Sequence, residues 1–291
     1  MPGLITVGVD GSATGREALR FALDEASLRG ARLRVVHVWS IPPLTATGVS
    51  LVPAFDLLQA ELSEAAAASL DADVEQVGGN DAAVEIERHV VRGDAAGTLV
   101  DLSSEADLLV VGSRGRGALA GSVLGSVSRA CLQHASGPVA VVHVAHPGDR
   151  SRVVVGTDGS PGSAAALDWA FAEAQRRGIP VHAVAAYHEP WGLAGGVVRS
   201  PDAVFELREA LARNAEDLLD AAERAAPPDV QVSREAVAAP AGPALVAAAA
   251  DSDLLVVGSR GRGGFASLVL GSVSQYCAAH AGGVVVVVPS P

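Results

Sequence analysis

The chain contains no lysine, so the 21 cationic side chains among its 291 residues are all arginine. This absence excludes a phosphate-binding lysine of the G-x-x-x-x-G-K-[ST] type and any Schiff-base chemistry on a lysine amine. Aromatic residues make up only 3% of the sequence, so valine, leucine and alanine must form the core. A surface poor in aromatic residues also argues against a base-stacking platform for single-stranded nucleic acid.

Cysteine is scarce as well, with two residues, Cys131 and Cys277. Each lies in an apolar helical pattern, which favours small buried side chains over a disulfide or a redox pair. So few cysteines fit a reducing compartment. No apolar stretch reaches the roughly 18 residues that span a bilayer, and the N-terminus lacks the basic region of a signal peptide. We therefore expect a cytoplasmic protein without a membrane partner.

An excess of basic charge is also missing, because the formal net charge is −12. Nucleic-acid-binding proteins usually present a basic face, since phosphate contacts dominate their affinity. The charge balance therefore predicts no nucleic-acid partner. The hydrophobic fraction of 49% is typical of a globular chain.

The sequence does contain a long internal repeat. Residues 107–117 read DLLVVGSRGRG, and the same eleven residues recur at 253–263. Upstream, V-D-G-S at 9–12 corresponds to T-D-G-S at 157–160. A period near 147 residues is too long for a solenoid and indicates duplication of a whole domain. We place the two domains at residues 1–147 and 148–291.

Within each copy, apolar strand patterns alternate with helical patterns. In the first copy, Leu4–Val9 and Leu108–Val111 are continuous apolar runs, which are typical of strands buried on both faces. This alternation predicts an α/β fold of two tandem doubly wound domains. Each would have a five-stranded parallel sheet with helices on both faces.

Two turns in each copy follow strands, at the edge of the sheet where open α/β folds bind ligands. The first turn comes directly after strand one, as Asp10-Gly11 in one copy and Asp158-Gly159 in the other. We predict that these residues belong to a ligand site. Helix N-capping is an alternative interpretation, because aspartate and serine favour that position.

The second turn follows the fourth strand and reads G-S-R-G, then nine residues, then G-S at the start of a helix. Glycines let backbone amides converge on an anion, and a helix N-terminus attracts phosphate. Arg114 and Arg116 add local positive charge. The predicted phosphate site comprises Gly112, Ser113, Arg114, Gly115, Gly125, Ser126 and Val127, and in the second copy Gly258, Ser259, Arg260, Gly261, Gly271, Ser272 and Val273.

Two other interpretations of this turn are weaker. A flexible loop with solvated arginines would not be expected to keep eleven identical residues between copies that differ elsewhere. A dinucleotide fingerprint, G-x-G-x-x-A, occurs at 115–120, but it follows the fourth strand and no acidic residue ends the next one. No metal-ligand or Ser-His-Asp spacing predicts a catalytic residue.

The pattern G-x2-G-x9-G-[ST] after a fourth strand, with V-x-x-D-G-S near the start, resembles the ATP-binding branch of the universal stress protein family. The resemblance covers nearly the whole chain as a tandem pair. It implies strand order 3-2-1-4-5 in each domain, so that strands one and four are neighbours. Asp10 and the loop at Gly112 would then face one crevice.

The resemblance also implies a ligand, ATP, with Mg²⁺ held through the nucleotide near Asp10 and Asp158. These aspartates would lie by the ribose and phosphates, and Val38 and Ala186 would meet adenine through backbone atoms. The family's usual glycine after strand three is present as Gly93. The second copy has Ala239 there, which puts its adenine pocket in question.

The leading functional hypothesis is an ATP-binding stress-response regulator that acts through nucleotide-dependent conformation or partner binding. One alternative is a slow ATPase or self-phosphorylating enzyme, although no general base or second carboxylate accompanies Asp10. A further alternative is an interaction scaffold with a structural nucleotide. The last strand of each copy, at 139–144 and 284–288, is apolar, and the resemblance implies a homodimer that pairs there.

Overall fold

The computed structural model describes residues 3–40, 52–79, 83–115, 124–143, 152–188, 201–252, 254–262 and 269–290. Contacts within the chain divide it into two compact units, residues 1–144 and 145–291. The predicted domain boundary between residues 147 and 148 lies outside the described residues and stays a prediction.

The first unit is an alternating α/β domain. Its described elements are β1 (Leu4–Val9), α1 (Ala13–Arg29), β2 (Arg32–Trp39), α2 (Val52–Gln76), β3 (Ile86–Arg92), α3 (Ala95–Ser103), β4 (Leu108–Gly112), α4 (Ser126–His134) and β5 (Val139–Val142). The strands are parallel in the order β3-β2-β1-β4-β5. Helix α1 contacts α2, and α3 contacts α4, so each pair covers one face of the sheet.

The second unit repeats this topology. Its described elements are β6 (Val153–Gly156), α5 (Pro161–Arg177), β7 (Val181–Tyr187), α6 (Pro201–Ala225), β8 (Val232–Ala238), α7 (Ala241–Ala248), β9 (Leu254–Gly258), α8 (Ser272–His280) and β10 (Val284–Val288). The strands are again parallel, in the order β8-β7-β6-β9-β10. The predicted fold class and strand order are confirmed in both units.

The central strands form the core because their residues are aliphatic on both faces. Ile5, Val7 and Val110 have no exposed surface, as expected for parallel strands covered by helices on each side. Strand order reverses between β1 and β4, and the equivalent reversal in the second unit lies between β6 and β9. These reversals mark where a ligand site is expected.

Some predicted details need correction. The last strand of the first copy was expected at 139–144, but β5 ends at Val142, and residue 144 lies outside the described part. Cys131 and Cys277 are free and fully buried, and burial raises the pKa of both thiols to about 12. Their interpretation as small buried side chains is confirmed. Among the described helices, none is long and apolar enough to cross a membrane.

Candidate functional site

A cavity of about 390 Å³ lies in the first unit, beyond the carboxyl ends of β1 and β4. The strand order reverses at this point, which is where α/β sheets bind ligands. The structure brings together most of the predicted site residues here, and those that line the cavity are Asp10, Val38, Gly112, Arg114, Gly115, Gly125, Ser126 and Val127. Gly11 and Ser113 lie in the same turns but are not part of the lining. Arg116 lies outside the described residues.

The second unit has an equivalent cavity of about 250 Å³ beyond β6 and β9. The predicted residues that line it are Asp158, Ala186, Gly258, Arg260, Gly261, Gly271, Ser272 and Val273. Gly159 and Ser259 are the repeat partners of Gly11 and Ser113, and they are likewise not part of the lining. The predicted residues that line the two cavities therefore occupy equivalent positions in the two copies.

The turn after β1 separates capping from ligand binding. Ser12 is the N-cap of α1, because its hydroxyl accepts the Gly15 amide proton at 3.0 Å. Asp10 accepts the Ser12 amide proton at 3.1 Å instead, which holds its carboxylate at the cavity wall. Gly11 between them has φ +75°, a left-handed conformation that favours glycine. Helix capping therefore accounts for Ser12 and does not account for Asp10.

Asp158 connects the two turns of the second unit. One carboxylate oxygen accepts the Ser160 amide proton at 3.0 Å, and the other accepts the Arg262 amide proton at 2.9 Å. Burial by itself would raise the pKa of Asp158, but hydrogen bonds from Ser160, the Arg262 amide and Ser163 outweigh burial and lower the pKa below its ordinary value. Asp158 is therefore ionised at neutral pH.

Gly115 is required for close contact between the two turns of the first unit. A β-carbon at this position would collide with the carboxylate of Asp10, and Gly261 stands in the same relation to Asp158. Neither glycine has a positive φ, so their conformation does not require glycine. The loop lies against the aspartate through a glycine Cα, which explains why this residue is the same in both copies.

Gly112 has a packing role besides lining the cavity. A β-carbon there would lie 2.9 Å from the carbonyl carbon of Thr14, and one on Gly258 would lie 2.5 Å from that of Gly162. The end of the fourth strand thus packs against the first turn of the first helix. The sequence predicts a phosphate-binding role for these glycines and gives no sign of this packing role.

The first turn of α4 faces the cavity with its amides. Its N-cap is Gly125, which has no side chain to accept a hydrogen bond from them, and Ser126 and Val127 line the cavity. Gly271 caps α8 in the same way. Backbone N–H groups at a helix N-terminus that lack side-chain acceptors can bind an anion, and the helix dipole favours negative charge there.

A buried serine that the prediction did not include fixes the position of this helix. The Ser128 hydroxyl donates to the Gly112 carbonyl at 2.7 Å, and the Ser274 hydroxyl donates to the Gly258 carbonyl at 2.6 Å. Both side chains also line the cavities. The identical block L-G-S-V-S in both copies was the available signal, because it extends the identity past the residues expected to touch phosphate.

The family can be tested directly against known proteins. The profile of the Universal stress protein family matches residues 1–143 and 150–289. The chain belongs to this family.

Relatives of this tandem universal stress protein match nearly its whole length. A universal stress protein of Mycobacterium tuberculosis is 36% identical over 290 residues, which cover 98% of this chain and 96% of the relative. One of Mycolicibacterium smegmatis is 37% identical over 290 residues, covering 95% and 94%. The crystal structure of a universal stress protein from Archaeoglobus fulgidus has TM-score 0.65, 19% identity and coverage of 99% and 96%, which supports the fold.

Ala239, which replaces the glycine of the family pattern, does not line the second cavity. Neither Ala239 nor its counterpart Gly93 is among the lining residues that the structure describes. Gly93 instead donates its amide proton to the Trp39 carbonyl at 3.0 Å. The differences between the two pockets of this universal stress protein lie at other positions.

Carboxylates and histidines are sparse around both pockets. In the described lining, each cavity has one carboxylate, Asp10 or Asp158. No cluster of three or more metal-ligating side chains occurs among the described residues. His134 and His280 end helices α4 and α8, and Nδ1 of His280 lies 2.9 Å from the Tyr276 carbonyl oxygen.

Proposed function

We propose that each domain binds one ATP molecule in its cavity. We also propose that the chain is a stress-response regulator, acting through nucleotide-dependent conformation or partner binding. The observation that carries this proposal is the same in both copies. A carboxylate, a glycine loop in contact with it and a helix N-terminus without a side-chain cap surround one cavity at the reversal of strand order.

The residues of the first cavity fit a nucleotide from one end to the other. The α4 amides at Ser126 and the loop at Arg114–Gly115 suit phosphate oxygens, which need backbone donors and positive charge. Asp10 suits ribose hydroxyl groups. Val38, at the end of β2, suits adenine, because its backbone groups offer donors and acceptors beside an apolar wall.

Magnesium fits this arrangement as a companion of the phosphates. Mg²⁺ is commonly held by one or two carboxylates together with substrate phosphates and water. The single carboxylate in each described lining, Asp10 or Asp158, could supply one such ligand. When bound, the ion would neutralise phosphate charge beside the carboxylate.

Binding is favoured over hydrolysis because the described lining holds no group suited to general base catalysis. The lowered pKa of Asp158 makes it a weak base, and no second carboxylate or histidine is found among the described lining residues.

We propose that the protein is located in the cytoplasm. We also propose that β5 and β10 mediate pairing into a homodimer, which light scattering of the purified chain would measure.

A comparison of turnover with conformational response tests the regulatory proposal. ATP should slow hydrogen exchange in the turns around Asp10 and Asp158 at stoichiometric nucleotide, while phosphate release stays at the level of the buffer. Steady phosphate release on the scale of seconds to minutes that is lost in Asp10→Asn would favour the enzyme. Hydrogen exchange that is unchanged when ATP is bound would favour the interaction scaffold with a structural nucleotide.

A further inference from the structure

The two cavities of one chain differ in charge. In the first, the charged residues of the described lining are Asp10, Arg114 and Arg129, and in the second they are Asp158 and Arg260. The position equivalent to Arg129 is Gln275, which is uncharged and is not part of the described lining. The first lining therefore carries one more positive charge than the second.

Arg129 lies at the phosphate end of its cavity. It follows Ser126 by three residues on α4, so the two side chains share one face of the helix. From the first turn of α4, the Arg129 side chain can extend along the cavity wall toward the helix N-terminus that would hold phosphate. A guanidinium is a charged donor to phosphate oxygens, and a triphosphate carries more negative charge than a monophosphate, so loss of Arg129 should weaken ATP binding more than AMP binding.

The space beside the carboxylate also differs. In the first unit Gly15 has no side chain beside the carboxylate, and a β-carbon there would lie 3.0 Å from Oδ1 of Asp10. The second unit has Ser163 at the equivalent position. Its side chain lines the cavity, and its hydroxyl donates to the Ser160 carbonyl at 3.0 Å. The cavity volumes, about 390 and 250 Å³, differ in the same direction.

Asp158 and Arg260 carry opposite charges, so the described wall of the second cavity is neutral overall, whereas Asp10 with Arg114 and Arg129 gives the described wall of the first a net positive charge. A triphosphate carries more negative charge than a monophosphate. The less positive wall of the second cavity should therefore lower the affinity for ATP more than the affinity for AMP.

We propose that the two sites divide adenine nucleotides by the number of phosphates. The first site prefers ATP to AMP, and the second site takes AMP at least as tightly as ATP. The proposal rests on the proposed function, since it assigns nucleotides to the same two cavities. Such a chain would respond to ATP through its first domain and to AMP through its second.

The test is calorimetry of the full chain with ATP and with AMP, one site at a time. The Gly261→Ala chain should bind nucleotide only weakly at the second site, so that the affinity of the first site is measured. The Gly115→Ala chain should bind only weakly at the first site, so that the affinity of the second is measured. In the first background, Arg129→Gln should lower ATP affinity about tenfold and AMP affinity much less. In the second, Gln275→Arg with Ser163→Gly should raise ATP affinity about tenfold. Arg213→Gln, an exposed arginine on α6, is the matched control and should change neither affinity.

Equal preference for ATP at both sites would overturn the proposal and leave the proposed function standing. An ATP-to-AMP affinity ratio at the first site that Arg129→Gln does not change would overturn it as well. Absence of binding by either nucleotide would overturn both this proposal and the proposed function. Apo thermal unfolding of each variant checks that the fold is retained.

Discussion

Asp158 holds two backbone amides at once, those of Ser160 and Arg262. An asparagine side chain has one acceptor oxygen, so it can keep only one of these hydrogen bonds. We therefore expect Asp158→Asn to weaken ATP binding at the second site, because the loop contact and the charged acceptor proposed for the ribose hydroxyl groups are both lost. A charge-assisted hydrogen bond is worth about 1.5–3 kcal/mol, or roughly tenfold to a hundredfold in affinity.

The matched variant is Asp10→Asn, which should weaken the first site and leave the second unchanged. Calorimetry with ATP measures both, and thermal unfolding of the nucleotide-free chain shows whether the fold survives. Ser12 caps α1 in place of Asp10, so the unfolding temperature of Asp10→Asn should change little. Unchanged ATP affinity in both variants would remove the aspartates from the site.

The pH dependence of stability should also depend on Asp158. Its folded-state pKa lies below the ordinary value of 3.8, so the carboxylate binds protons more weakly in the folded chain than in the unfolded chain. It therefore contributes stability above that value, and this contribution is lost as the pH falls through the folded-state pKa. Urea unfolding at pH 5 and pH 3 should show a smaller loss of stability in Asp158→Asn than in the unmodified chain. The same loss in both would contradict the lowered pKa.

At the scale of elements, the glycine loop and the turn after the first strand form one contact. Replacing Gly115 or Gly261 with alanine places a methyl group where the aspartate carboxylate lies. We expect each substitution to displace the loop and weaken ATP binding in its own domain, with the other domain unaffected. Equilibrium dialysis with labelled ATP measures the number of sites that remain.

Gly137→Ala is the matched control for these substitutions. Gly137 is not part of either described lining, and a β-carbon on it would be 3.4 Å from its nearest neighbour, the Ala106 carbonyl oxygen. It should bind ATP like the unmodified chain. Normal ATP binding by a chain carrying both loop substitutions would show that the loop does not hold phosphate.

The elements themselves were largely predictable from sequence, because apolar runs and helical spacing are local signals. Strand β1 has the bounds of the apolar run Leu4–Val9, and β4 extends one residue beyond the run Leu108–Val111, to Gly112. The hydrogen bond from Ser128 to Gly112 was not predictable, since it depends on how α4 lies against β4. The contact of Gly115 with Asp10 joins residues about 100 apart in sequence and likewise needs the fold.

For the whole molecule, the duplication made the shared site residues predictable. It gave no signal for the residues that differ between the two cavities. Identity between the copies identifies the turns that both pockets need, and most of those residues do line the cavities. Residues that differ, such as Arg129 and Gln275 or Gly15 and Ser163, have no such signal. Their importance is visible only where the structure places them beside a shared carboxylate or helix terminus.

Native mass spectrometry of the full chain titrated with ATP shows whether each domain binds one nucleotide. We expect a first ATP adduct at low nucleotide concentration and a second at higher concentration. Gly115→Ala should remove the first adduct and Gly261→Ala the second. A chain that acquires no ATP adduct at any concentration, or the same two adducts when both glycines are substituted, would show that the two cavities are not the nucleotide sites.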